Sequence, residues 1–107
     1  METLFPHHAT LLDGSYTRAE WNRHCYAKKF LADNHVRNGM PLTMTYIWSG
    51  PGGSQPITVT GPCTLIASTG GSAIGAIHIQ HRVPHHATLS QITYLALART
   101  TQDYRYL

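Results

Sequence analysis

The sequence predicts an α+β protein: a compact, bilobal antiparallel sheet with pseudo-twofold symmetry and one main helix at about residues 18–33. Three observations lead to this fold class. A hexapeptide occurs twice, a helix-capping pattern follows its first copy, and alternating apolar and polar residues precede its second copy. A chain of 107 residues supports one core, so we expect a single domain over residues 1–107.

The repeated hexapeptide is Pro-His-His-Ala-Thr-Leu, which occupies residues 6–11 and again residues 84–89. The match extends at the same offset to Tyr16 and Tyr94. Two copies are too few for a solenoid, which stacks several repeats to build its core. We interpret them as two small lobes that share one core and face one site.

The main helix is predicted from the segment that follows the first copy. Thr17 and Glu20 have the spacing of a capping box, in which each side chain satisfies a free amide of the first turn. His24 shares the polar face with Glu20 and Lys28, and we interpret it as solvent-exposed. Apolar residues recur at the helical period and predict a buried stripe. Its members are Ala19, Trp21, Cys25, Tyr26, Phe30 and Ala32.

Beyond Pro41 the sequence has the period-two pattern of β-strands. Segments rich in Gly and Pro, including Gly61-Pro62, separate the apolar runs and predict antiparallel strands joined by turns. Residues 91–100 are compatible with two structures, because apolar residues alternate there while the Leu and Ala content favours a helix. The predicted strands cover residues 42–48, 57–60, 64–68 and 73–83.

The composition restricts the ligand and the location. The formal net charge is +3, but Lys and Arg do not cluster beyond Lys28-Lys29, which argues against duplex DNA and favours a small anionic ligand. No apolar stretch approaches membrane-spanning length, and the N-terminus lacks a signal-peptide pattern. We therefore expect a cytoplasmic protein without membrane contact. Cys25 and Cys63 have no motif spacing and are expected to be free thiols.

The duplicated stretch carries the chemistry. If each copy is a strand, its second His and its Thr point to the same side, which pairs His8 with Thr10 and His86 with Thr88. Two imidazoles around one phosphodiester can act as general base and general acid, because imidazole exchanges protons near neutral pH. The two hydroxyls can hold the non-bridging oxygens as charge develops. This chemistry requires neither a metal nor a cofactor.

The two motifs resemble the paired His-x-Thr motifs of the 2H phosphoesterases, the group that includes bacterial LigT-like enzymes, cyclic phosphodiesterases of RNA repair and phage anti-CBASS nucleases. The order of elements is also similar: a motif strand, a helix, several strands and a second motif. The resemblance implies a bilobal α+β fold in a minimal form. It also implies metal-independent cleavage of a cyclic nucleotide phosphodiester, in a cyclic oligonucleotide signal or a 2′,3′-cyclic phosphate RNA end.

Three further residues are predicted to contact the substrate. Tyr16 and Tyr94 lie eight residues beyond the two predicted catalytic histidines, where they can stack on bases. A core position is an equally good interpretation for each tyrosine. Arg82 precedes the second motif and can meet a phosphate, although a solvent-exposed edge is the better interpretation for it.

Two other functions fit the sequence. A His-rich module for Zn, Ni or Cu is the first alternative, since neutral imidazole suits these metals. A non-catalytic, phage-type interaction protein that binds a nucleotide or a host protein is the second. The sequence names neither the substrate nor the oligomeric state. The histidines of the metal alternative are His78, His81, His85 and His86.

Overall fold

The computed structural model describes residues 16–98, in which one helix precedes an antiparallel sheet. The predicted α+β class, with its antiparallel sheet and main helix, is confirmed. The first copy of the hexapeptide, with His8 and Thr10, lies outside the described residues. The elements are α1 (Arg18–Asp33), β1 (Pro41–Gly50), β2 (Gly53–Ala67), β3 (Ile74–His81), β4 (Val83–Thr88), a 3₁₀ turn (Leu89–Gln91) and β5 (Ile92–Leu97).

Helix α1 begins at the predicted capping box. The Glu20 N–H donates to Thr17 Oγ1 at 3.1 Å, and the Thr17 N–H donates to Glu20 Oε1 at 2.8 Å. The predicted stripe is wrong at Ala19, Tyr26 and Ala32, which are exposed. The reason is that α1 packs on the 3₁₀ turn and on β5, which selects a different side of the helix. The buried residues of α1 are Trp21, Cys25, Ala27 and Leu31.

The strands form a five-stranded sheet in the order β4-β3-β2-β1-β5. Strand β2 pairs with β1 over residues 53–62 and with β3 over residues 63–67. The predicted break at Gly61-Pro62 is wrong, because β2 continues through both residues. A Cβ on Gly61 would lie 3.0 Å from Ile79 Cγ2 and 3.2 Å from the carbonyl oxygen of Gln80. Glycine therefore leaves room for the close approach of β3 where β2 changes partner.

The sheet curls until its two edge strands come near each other. β4 and β5 lie at opposite ends of the strand order, yet only the three residues of the 3₁₀ turn connect them. The step from Thr88 to Ile92 can span at most about 14 Å. The sheet is therefore an open, barrel-like structure, with α1 packed against the β4–β5 connection. The segment that the sequence left open, residues 91–100, contributes strand β5, which pairs with β1.

One hydrophobic core connects α1 with both halves of the sheet. Ala87 and Leu89, from the second hexapeptide, are fully buried in it, whereas His86 and Thr88 are exposed. The core thus fixes which side of β4 carries the histidine and threonine. Within residues 16–98, no helix is long and apolar enough to cross a membrane. The largest fully buried side chains are Leu42, Met44, Ile77, Ile79, Leu89 and Ile92.

Candidate functional site

An open cleft of about 730 Å³ lies between the first half of α1, the β2–β3 connection and the end of β4. The β2–β3 connection forms its floor with small and apolar residues from segments 66–69 and 73–76. The remaining lining side chains come from two other parts of the chain. They are Tyr16, Trp21, His24 and Lys28 on the helix side, and His86, Thr88, Leu89 and Ser90 on the β4 side.

The β4 wall presents His86 and Thr88 together because alternate residues of a strand share a side. The 3₁₀ turn holds the threonine in place. Thr88 Oγ1 donates to Gln91 Oε1 at 3.2 Å and lies 3.1 Å from Ser90 Oγ, and the Thr88 N–H donates to Gln91 Oε1 at 3.0 Å. These bonds hold Thr88 Oγ1 beside the 3₁₀ turn.

The helix wall is an aromatic group formed by Tyr16, Trp21 and His24. The His24 ring stacks on the Trp21 indole, with a centroid distance of 5.1 Å and an interplanar angle of 13°. Tyr16 tilts against both rings, with centroid distances of 5.7 Å to Trp21 and 6.0 Å to His24. Burial lowers the pKa of His24, and the positive charge of Lys28 lowers it further. At neutral pH the cleft thus contains an uncharged imidazole beside an ammonium group.

The electrostatic character of the cleft follows from the distribution of carboxylates. The sequence contains no Asp or Glu from residue 34 to residue 102, so the whole described sheet lacks negative side chains. In residues 16–98, acidic side chains occur only at Glu20 and Asp33. Glu20 caps α1, and Asp33 pairs with Lys29 at 2.8 Å. Among the described residues 16–98, the cleft lining carries Lys28 and no carboxylate, which favours an anionic ligand.

The predicted site residues are distributed unevenly. Tyr16, His86 and Thr88 line the same cleft. Tyr94 lies on β5 with 50% of its surface exposed, and it is not among the cleft residues. Arg82 is an exposed residue at the β3–β4 turn, where its φ of 66° is unusual for a non-glycine residue, and it too is outside the cleft. The other predicted pair, His8 and Thr10, lies outside residues 16–98.

The helix side of the cleft was not predicted from the sequence. His24 was expected on a solvated face, whereas the residue is half-buried and stacked in the aromatic group. Lys28 and Ser90 were not singled out. The available signal was the one-turn spacing of His24 and Lys28 beside Trp21, which places all three toward one side of the helix. That spacing does not reveal which strand the side will oppose.

His85, the first histidine of the second motif, contacts Tyr46 on the other side of β4. His85 Nδ1 lies 3.0 Å from Tyr46 Oη, and the two rings meet edge to face with centroids 6.1 Å apart. Burial raises the pKa of Tyr46, so its phenol keeps its proton and can donate it to His85 Nδ1. His85 therefore ties β4 to β1, and the cleft is left to His86.

The four histidines of the metal alternative do not converge. Throughout residues 16–98 there is no group of three or more His, Cys, Asp or Glu side chains that could hold a metal ion. His78 lies opposite His86 in the β3–β4 pairing, His81 stands next to the turn, and His85 bonds to Tyr46. A module that uses all four histidines is incompatible with this arrangement.

Comparison with known proteins gives no match: no family model, no curated protein and no solved structure is similar to the chain. The chemistry of the cleft residues is therefore the basis for a functional proposal.

Proposed function

We propose that the protein binds single-stranded RNA or a nucleotide in the cleft, with a phosphate against the β4 wall and a base against the aromatic group. One observation carries the proposal. Aromatic rings and side chains that can donate hydrogen bonds to a phosphate line the same cleft. Tyr16 and His24 supply the rings, and Lys28, His86 and Thr88 supply the donors. A volume of about 730 Å³ lies within the range of small-molecule sites, roughly 300–1,000 Å³.

The proposed phosphate contacts come from two elements. Lys28 provides an ammonium group on the helix side, and His86 provides a ring N–H donor on the β4 side. The hydroxyls of Thr88 and Ser90 lie 3.1 Å apart, so one of them can turn outward to a phosphate oxygen while the other keeps its internal bond. Within the part of the chain that the structure describes, no lining carboxylate competes with a phosphate for these donors.

The base contact is the aromatic group. Stacking on a tyrosine or histidine ring tolerates any base, and it is the usual way in which proteins hold unpaired nucleotides. Trp21 is only 5% exposed and therefore supports the His24 ring from behind. Tyr16 and His24 remain as the ring faces that a base can reach.

A binding experiment with paired lysine variants tests the phosphate contact. Fluorescence anisotropy of a labelled RNA hexamer is measured for Lys28→Gln and for Lys29→Gln, its matched control, which removes the same charge one position away. Lys29 pairs with Asp33 and does not line the cleft. We expect Lys28→Gln to weaken binding and to reduce the slope of log affinity against log salt by about 0.7, the value for one phosphate contact on a single strand.

A second pair of variants tests the β4 wall. His86→Asn should weaken RNA binding, whereas His81→Asn, at an exposed position near the β3–β4 turn, should leave it unchanged. A duplex RNA of the same length serves as competitor and is expected to compete poorly. Equal effects within both pairs of variants would rule out the cleft as the binding site.

A two-histidine phosphodiesterase is the second candidate function, and we propose it on a separate observation: His24 and His86 both line the cleft. Burial and the charge of Lys28 favour the neutral form of His24, which is the form that a general base requires. His86 would then give a proton to the leaving oxygen, with Thr88 beside the phosphate. In the version predicted from sequence, the second imidazole is His8. Both versions need no metal or cofactor and take a cyclic nucleotide or an RNA end with a cyclic phosphate.

Cleavage assays separate these versions from each other and from simple binding. The substrates are cyclic dinucleotides, cyclic trinucleotides and an RNA with a 2′,3′-cyclic phosphate, each with and without EDTA. If the enzyme proposal is right, His86→Asn abolishes turnover and EDTA has no effect. Loss of turnover in His24→Asn or in His8→Asn then identifies the second imidazole. Turnover that survives in His86→Asn, or RNA binding without any cleavage, would eliminate the enzyme proposal.

We also propose a cytoplasmic location. Cys25 and Cys63 are both free and buried, and burial raises the pKa of each thiol, which keeps it protonated and unreactive. Unpaired cysteines of this kind suit a reducing compartment. Fractionation of cells that express the tagged protein would test the location.

A further inference from the structure

His78 and His86 form a cross-strand pair on the sheet surface next to the cleft. They are direct partners in the antiparallel pairing of β3 with β4. Directly paired residues project their side chains from the same face of the sheet. His78 is half-buried and His86 is exposed, so neither ring is enclosed by the core.

The hydrogen bonding of β4 shows which type of pair they form. The Thr88 N–H donates to the Gln91 side chain rather than to β3, and Pro84 has no N–H to donate. Successive residues of a strand direct their backbone N–H and C=O groups to opposite sides, and the β3–β4 pairing has no register shift. Residues 84, 86 and 88 therefore all direct these groups away from β3. His78 and His86 thus occupy a non-hydrogen-bonded pair, in which Cα atoms are about 4.5 Å apart and side chains approach most closely.

We propose that His78 and His86 together bind one divalent transition-metal ion that prefers imidazole ligands. Cu²⁺ is the ion expected to bind most tightly. Imidazole nitrogen binds Cu²⁺, Ni²⁺ and Zn²⁺, and Cu²⁺ heads the affinity order for such sites. Residues 34–102 contain no Asp or Glu, so the sheet offers no carboxylate, the side-chain ligand that Mg²⁺ and Ca²⁺ sites rely on most. Two protein ligands leave further coordination positions open to water.

The proposed metal site and the cleft have one residue in common. His86 lines the cleft, so a metal ion held between His86 and His78 adds positive charge at its edge. An open coordination position there suits a phosphate oxygen. Metal binding itself does not rest on the proposed nucleotide function, because the two imidazoles are sufficient for it.

The test is a Cu²⁺ titration of the untagged protein without nucleotide. Calorimetry measures the stoichiometry and affinity, and electron paramagnetic resonance identifies the ligand atoms. We expect one ion per chain and hyperfine splitting from two ring nitrogens. His78→Gln and His86→Gln should each remove this signal. Each should also weaken Cu²⁺ binding by more than roughly tenfold, because even the loss of a residue that only hydrogen-bonds to a metal ligand costs about that much. His78 is half-buried and His86 is exposed, so circular dichroism is expected to show that both variants keep the fold.

Two controls make the result specific. His35→Gln and His81→Gln remove exposed histidines that do not pair with β4 position 86, and they should leave the signal intact. The double variant His7→Gln/His8→Gln removes the other adjacent histidines of the chain and should also leave the signal intact. A signal that persists in both His78→Gln and His86→Gln, that disappears in a control variant, or that is never seen would overturn the proposal.

Discussion

The hydroxyl of Tyr26 occupies the outer edge of β5 at Leu95. It accepts a hydrogen bond from the Leu95 N–H at 2.9 Å and donates one to the Leu95 carbonyl oxygen at 3.3 Å. A helix side chain therefore satisfies both backbone groups that β5 turns away from β1 at this residue. Edge strands with free backbone groups pair readily with other chains, and covering them is one way in which proteins prevent it.

Tyr26→Phe should lower the free energy of unfolding by about 1 kcal/mol, because it removes the hydrogen-bond partner of two backbone groups that only water can then replace. Urea denaturation monitored by circular dichroism measures the change. The matched control is Tyr94→Phe, which removes a hydroxyl from a half-exposed tyrosine of β5 itself. An equal loss in both variants would show that the contact with Leu95 contributes nothing of its own.

Gly61→Ala should destabilise the protein by about 1–3 kcal/mol, the usual cost of forcing extra atoms into a packed site. Its new methyl group would meet Ile79 and the backbone oxygen of Gln80, which cannot move without shifting β3. Gly52→Ala is the control, because a Cβ there meets no atom within 4 Å. Thermal unfolding of the two variants gives the comparison, and a Gly61→Ala protein as stable as Gly52→Ala would contradict the close approach of β2 and β3.

His24 should make stability depend on pH. Its pKa is lower in the folded protein than the unfolded value of 6.5, since burial and Lys28 disfavour the charged ring. The unfolded chain therefore holds the proton more tightly, so the contribution of His24 is complete above about pH 6.5 and is lost as the pH falls through the folded pKa. Between pH 7.5 and pH 5.5 the free energy of unfolding should fall less in His24→Gln than in the wild type. His81→Gln, which changes an exposed histidine, should retain the wild-type dependence.

Much of the fold was predictable because its causes are local. The capping box of Thr17 and Glu20 fixes the start of α1 through bonds between residues three apart, and strand alternation puts His86 and Thr88 on one side of β4. Gly61-Pro62 misled the prediction because glycine there serves a close approach to β3, which involves residues far away in sequence. A glycine in a β-rich segment can therefore indicate the close approach of another strand instead of a turn.

The candidate site was predictable on one wall only. The helical pattern of residues 18–33 does not reveal that α1 packs on the β4–β5 connection. Only that packing brings His24 and Lys28 into the same cleft as His86. Residues 92–97 form a strand for a similar reason. Their Leu and Ala content permits a helix, but pairing with β1 satisfies the backbone and buries Ile92 and Leu95.

The two tyrosines that share an offset from the repeated motif provide the sharpest test of the cleft. The sequence treats Tyr16 and Tyr94 alike, whereas the structure places Tyr16 in the cleft, against Trp21 and His24, and Tyr94 on β5 away from it. Loss of a base-stacking ring costs about 1–3 kcal/mol per base. Tyr16→Leu should therefore weaken binding of the labelled RNA hexamer roughly tenfold, and Tyr94→Leu should leave it unchanged. Leucine keeps an apolar side chain at both positions, so a difference between the variants reports the aromatic ring. If the two variants bind equally well, the base does not stack on Tyr16; if Tyr94→Leu alone weakens binding, the RNA lies along β5 instead.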